Sequence, residues 1–240
     1  MRRAVSIPIL KFRVDMKINL LFLTIIIGIF LGGCAKQETA KDADFWYKKS
    51  LQELRLEQPG EIAWRKALIS IDQALSLDAS RERYWVLKGA LLLKLGMPKM
   101  SVDGFEQALK CSKVPALRAE VLNNYACALA ELGEEEKALA RWEEALATPS
   151  YVTPEVVHSN RGQYWLHKKE YQKALSSLEL AIQTGGEYSD AYFFKALTLY
   201  HLKRYTQAYD VLVPLLTFDP DYQPALALQK ELKQFLSPTG

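Results

Sequence analysis

The 240-residue sequence predicts an all-α fold: a right-handed superhelical solenoid of five antiparallel helix pairs, closed by one capping helix and preceded by an export signal. Three observations carry this prediction. Small and bulky residues recur at fixed offsets, successive copies are in phase (Ala74 is followed 34 residues later by Ala108), and the last amphipathic segment has the polarity of an end cap.

The clearest copy runs from Ala119 to Ala145. With Ala119 as position 1, Leu122 is position 4, Tyr125 is 7, Ala126 is 8, Leu129 is 11, Gly133 is 15, Ala138 is 20, Trp142 is 24 and Ala145 is 27. Small residues at 8, 20 and 27 let two antiparallel helices approach, and bulky ones at 4, 7, 11 and 24 fill the space between them. This is the tetratricopeptide (TPR) pattern, that of a binding scaffold.

Residues 1–33 read as a signal peptide. Arg2, Arg3, Lys11, Arg13 and Lys17 precede the apolar run Ile18 to Gly33, which ends in small residues before Cys34. The apolar core is short for a spanning helix, which needs about 20 residues. Met16 also begins a complete signal and is a second candidate start. Leu31-Gly32-Gly33-Cys34 resembles the bacterial lipobox, which implies cleavage before Cys34 and acylation of that residue. Several acyl chains make attachment stable where one would be marginal. Ala35 follows the cysteine where an aspartate would suggest inner-membrane retention, so the analogy implies the periplasmic face of the outer membrane. Of the total charge of +3, this segment carries +4 and leaves −1, which gives no reason to expect nucleic acid as a partner.

Residues 34–42 form a polar tether whose stretched reach is about 30 Å. The five repeats occupy 43–222. Repeat one has Trp46, Lys49 and Ser50 at positions 4, 7 and 8 and Ala67, Ile71 and Ala74 at 20, 24 and 27. It departs from the pattern with Glu53 at position 11 and with five extra residues around Glu57-Gln58-Pro59-Gly60-Glu61, which lengthen its loop. Repeat two has Trp85, Lys88, Gly89, Leu92, Gly96, Ser101, Phe105 and Ala108, and Pro115 is placed to begin repeat three. Repeat four opens with Thr153-Pro154-Glu155, a cap residue, a proline at the first helical position and an acid in the first turn. It continues with His158, Arg161, Gly162, Trp165, Tyr171, Ala174, Leu178 and Ala181; Lys169 replaces glycine at position 15, so this turn is expected to close without a left-handed residue. Repeat five has Tyr192, Lys195, Ala196, Leu199, Tyr205, Ala208, Leu212 and Leu215. Residues 223–235 read as the capping helix that keeps the last apolar face from water.

Motifs for catalysis are missing. The sequence has no glycine-rich phosphate loop, no His-Glu-x-x-His, no nucleophile elbow and no Cys-x-x-Cys. His158 falls at a packing position, His167 and His201 both at position 13, and Glu134-Glu135-Glu136 at a helix start, where the dipole favours acids. No enzyme activity, cofactor, metal or small-molecule substrate is expected. Cys111 and Cys127 lie on different helices and read as two thiols.

In the TPR fold the first helix of each pair lines the concave face through positions 2, 5, 9 and 12, which places Arg83, Val86, Ala90, Glu120, Asn123, Cys127, Gln163 and Phe193 there. This mostly uncharged lining suits an apolar or amphipathic peptide segment. Asn124 and Asn160 at position 6 resemble part of a carboxylate clamp, but the clamp's Lys and Arg are absent, and bonding along the helix surface is expected of both.

Val121-Leu122-Asn123-Asn124-Tyr125, then Ala145 to Gly162 with Tyr151 in the longer loop and Asn160 before Gly162, resemble the TPR lipoproteins of type IV pilus biogenesis, the PilF, PilW and Tgl type often called pilotins. That resemblance implies an outer-membrane lipoprotein that brings the pilus secretin to the membrane and promotes its multimerisation. The same scaffold would also serve a general periplasmic lipoprotein that organises envelope assembly or peptidoglycan enzymes. This chain has five repeats where that family commonly has six.

Overall fold

The computed structural model describes residues 42–55, 60–148 and 151–236. The signal peptide, Cys34 and most of the tether and of the repeat-one insertion lie outside these residues. Among the described residues there are eleven helices: α1 (Ala43–Glu53), α2 (Glu61–Leu77), α3 (Glu82–Lys94), α4 (Pro98–Cys111), α5 (Pro115–Glu131), α6 (Glu135–Leu146), α7 (Pro154–His167), α8 (Tyr171–Gly185), α9 (Ser189–His201), α10 (Tyr205–Phe218) and α11 (Gln223–Leu236). None is long and apolar enough to cross a membrane. The chain divides into two compact units, residues up to 113 with 131–133, and 114–130 with 134 onward.

In the first unit α1 packs on α2 and α3 on α4, with α2 against α3. The small positions are where the backbones meet. Ser50 at position 8 donates to the Ala67 carbonyl at position 20 over 2.8 Å, and Ser101 at position 20 donates to the Gly89 carbonyl at position 8 over 2.7 Å. These two serines, where alanine is usual, satisfy their hydroxyls on the facing helix, so burying them is not penalised. Tyr84, Ile71 and Leu91 fill the core between repeats one and two. Glu53 is the last residue of α1, and the following Leu54 packs against that core. The acid at position 11 therefore ends the helix and the neighbouring leucine takes the apolar role.

In the second unit α7 packs on α8, α9 on α10, and α8 and α10 on the next helix in the chain. Arg118 of α5 pairs with Glu144 of α6 at 3.2 Å. Trp142, Leu178 and Leu212, all at position 24, have no exposed surface. Gly162 shows why position 8 must be small, since a Cβ there would lie 2.4 Å from Leu178 Cγ. The cap α11 buries Ala225, Leu228 and Leu232 against Leu212 and Leu215 of α10.

The turns within repeats share one hydrogen-bond pattern. The amide at position 16 donates to the carbonyl at position 11 in four repeats, Met97 to Leu92, Glu134 to Leu129, Glu170 to Trp165 and Arg204 to Leu199, all at 2.9 Å. This is the six-to-one bond of a Schellman ending, which requires a left-handed residue at position 15. Gly96 (φ 72°) and Gly133 (φ 77°) supply it, and so do Lys169 (φ 62°) and Lys203 (φ 60°). The expectation that the Lys169 turn closes without a left-handed residue is thus corrected: turn closure imposes the conformation on lysine. Thr153 is the N-cap residue of α7 with Pro154 in the first turn, as expected, but its side chain makes no cap bond. Its hydroxyl instead interacts with Tyr151, whose phenol is pushed up to about 12 by burial.

Candidate interaction surface

The first helix of each pair carries the predicted lining, and each unit presents its own part. In the first unit Arg83 reaches back to Asp44 of α1, which also accepts from the Tyr84 hydroxyl. The Arg83 guanidinium lies 5.0 Å from the Tyr47 ring centroid and 5.4 Å from that of Tyr84. The Tyr84 hydrogen bond and the Arg83 charge hold the Asp44 carboxyl below its ordinary value against an opposing burial effect. Arg83 is therefore committed to a charged, aromatic cluster at position 2 of two repeats. Val86 is half-buried and Ala90 is buried.

In the second unit Asn160 of α7 donates its Nδ2 to Asn123 Oδ1 of α5 at 3.0 Å, and both are buried. The bonding along its own helix expected of Asn160 is thus corrected to a tie between two repeats. Gln163 is buried one turn further on, with Nε2 3.5 Å from Ser159 Oγ. Cys127 has no exposed surface, Asn124 and Glu120 are half-buried, and Phe193 is buried against Phe194 and Tyr222. The Asn160–Asn123 bond uses one N–H of Asn160 and the carboxamide oxygen of Asn123, and holds the two side chains against each other. Cys111 is half-buried, and neither thiol is in a disulfide.

Asp190, at position 2 of repeat five, repeats the Asp44 arrangement. It is buried and accepts from Tyr222 Oη at 2.6 Å. In both units an aspartate at the start of a first helix receives a tyrosine from the start of the next, a tie that only the folded register displays.

A second contact recurs between successive repeats within each unit. An acid at position 25 pairs with the base at position 7 of the following repeat: Asp72 with Lys88 at 2.7 Å, Glu143 with Arg161 at 2.6 Å and Glu179 with Lys195 at 3.1 Å. Beside Arg161, a cleft of about 410 Å³ is lined by Trp165, Gln172, Lys173, Ser176 and Ser177. The Lys173 ammonium sits 4.4 Å from the Trp165 ring centroid. Nothing in the repeat pattern marks this cleft, because it gathers positions 7, 11, 18, 19, 22 and 23 from two helices. Among the described residues no group of His, Cys, Asp and Glu could hold a metal ion.

No protein-family model matches the sequence, and no curated protein sequence matches it. Solved structures do. PilW, a widely conserved type IV pilus biogenesis factor, is similar with a TM-score of 0.66 at 22% identity, over 81% of this chain and 86% of PilW. A thermophilic TPR protein of Thermus thermophilus is similar with a TM-score of 0.64 at 17% identity, over 80% of this chain and 99% of that one. PilF of Pseudomonas aeruginosa is similar with a TM-score of 0.57 at 21% identity, over 82% of this chain and 93% of PilF. The chain has the TPR fold, and that fold resembles those of PilW and PilF.

Proposed function

We propose that this protein is a membrane-tethered TPR adaptor that helps an outer-membrane secretin reach the membrane and assemble during type IV pilus biogenesis. The observation that carries the proposal is the lipobox-like Leu31-Gly32-Gly33-Cys34 placed ahead of a TPR array whose fold resembles PilW. Residues 1–33 act as the signal and are removed, and acylated Cys34 holds the array at the periplasmic face of the outer membrane. Confinement to a surface raises the effective concentration of any partner engaged there. The first-helix faces, with their apolar residues such as Val86 and Leu93, hold a peptide segment of the secretin subunit. The chain supplies recognition and position and takes no part in a chemical step.

Deletion of the gene tests this. Secretin is expected to remain monomeric on denaturing gels and surface pili to be lost, and a Cys34→Ser variant is expected to restore neither in full. Unchanged secretin multimers in the deletion strain would overturn the proposal.

A further inference from the structure

The outward side of α2 is unlike that of the other second helices. Its inward side buries Ala63, Ala67, Ile71 and Ala74. Along one flank Ile62 is 74% exposed, Ile69 is 64% exposed and Leu77 is 57% exposed. Together with the exposed Lys66 and Gln73 they fall at successive steps of three or four residues, a single stripe along a helix about 25 Å long. Position 22 supplies an internal comparison. It is Ile69 in repeat one and Asp103, Ala140, Ser176 and Asp210 in the other four, all exposed. The scaffold itself requires no apolar residue there, so packing among the described residues does not account for the exposed isoleucine.

The sequence limits what can cover it. Only residues 35–41 separate Cys34 from Asp42, the N-cap of α1, and the span reaches no more than about 30 Å even when stretched. An anchored Cys34 therefore keeps α1 and α2 permanently next to the bilayer. The stripe also suits that surface, because its isoleucines can enter the boundary between headgroups and acyl chains while Lys66 extends its ammonium to the phosphates. Neighbouring Arg65 is neutralised by Glu61 at 2.7 Å, so the stripe carries no strong charge that would oppose insertion.

We infer that α2 docks through Ile62, Ile69 and Leu77 onto the phospholipid surface to which the chain is tethered, which fixes how the repeats face the periplasm. This rests on the membrane anchoring proposed above. The test uses the full chain, processed in cells, extracted and returned to vesicles of phosphatidylethanolamine and phosphatidylglycerol. A photoreactive diazirine residue replaces Ile69, or Asp103 as the control at the same repeat position. Lipid adducts at 69 are expected at least several-fold above those at 103, because only the probe at 69 lies in the docked stripe. They are expected to fall to the control level when Ile62→Ser and Leu77→Ser are added, with the helical circular dichroism signal unchanged. Equal yields at 69 and 103, or adducts at 69 with a second copy of the chain in place of lipid, would overturn the inference. Intact mass of the same preparations separates the two ideas. An acylated chain without lipid adducts at 69 leaves the anchor standing and removes the docking, whereas an unacylated chain that still yields them removes the acyl anchor and keeps the docking.

Discussion

Lys169 and Lys203 hold a backbone conformation that a side chain disfavours by about 1 to 2 kcal/mol. Glycine at either position would remove that cost while adding freedom to the unfolded chain, worth about 0.5 to 1 kcal/mol. Lys169→Gly and Lys203→Gly are each expected to stabilise the protein by up to about 1 kcal/mol in urea unfolding. His158 illustrates a different residue-scale effect. It is half-buried, its Nδ1 has no partner, and burial together with the Arg161 charge holds the imidazole below its ordinary value of 6.5, with Glu143 opposing. A depressed histidine is neutral in the folded protein where the unfolded chain already binds a proton. Stability is therefore fully present above pH 6.5 and falls as the pH drops through 6.5 towards the folded value. His158→Gln is expected to flatten this part of a stability-against-pH profile; an unchanged slope would show that other groups dominate it. Neither effect could be read from residue type, because position 15 looked incapable of a left-handed turn once glycine was missing and position 4 looked like plain packing.

At the scale of elements, small residues let the helices of a repeat meet, and ion pairs link one repeat to the next. Gly162 against Leu178 belongs to the first kind, and Glu143 with Arg161 to the second. The acid is 63% exposed and the arginine 22%, so the pair lies near the weak end of surface salt bridges, about 0.2 to 1 kcal/mol. Glu143→Lys alone is expected to cost about that much, and Glu143→Lys with Arg161→Glu to recover most of it, as a double-mutant cycle in low salt would show. The alternation of acid at 25 and base at 7 was present in the sequence at all three places. Its meaning was not legible, because positions 16 to 18 residues apart become neighbours only when one repeat's second helix lies beside the next repeat's first.

For the molecule as a whole, an open array must end somewhere, and α11 is the end. Leu212 and Leu215 have no exposed surface while Ala225, Leu228 and Leu232 cover them. Removing residues 223–240 is expected to expose that face, to lower solubility and to melt repeat five first. Hydrogen exchange at α9 and α10, compared with α7 and α8, checks the order. Phe235 stacks on Tyr205 with ring centroids 4.6 Å apart, so part of the cap's hold is aromatic and lies at its last turn.

The sequence by itself determined the all-α repeat architecture, since a period of small and bulky residues leaves one way to pair the helices, and it marked the start of the cap at Gln223. It also displayed Cys34 and its preceding residues, on which the membrane reading rests. Only the tertiary structure decided which polar residues are already occupied. Asn123 and Asn160 share a position class with groove residues but bond each other across two repeats, Arg83 is drawn to Asp44, and Ile69 is left outside. The reason is physical. Apolar periodicity is written along the chain and survives in one dimension, whereas a hydrogen bond or an exposed face depends on which distant residue arrives opposite, and only the packed backbone sets that.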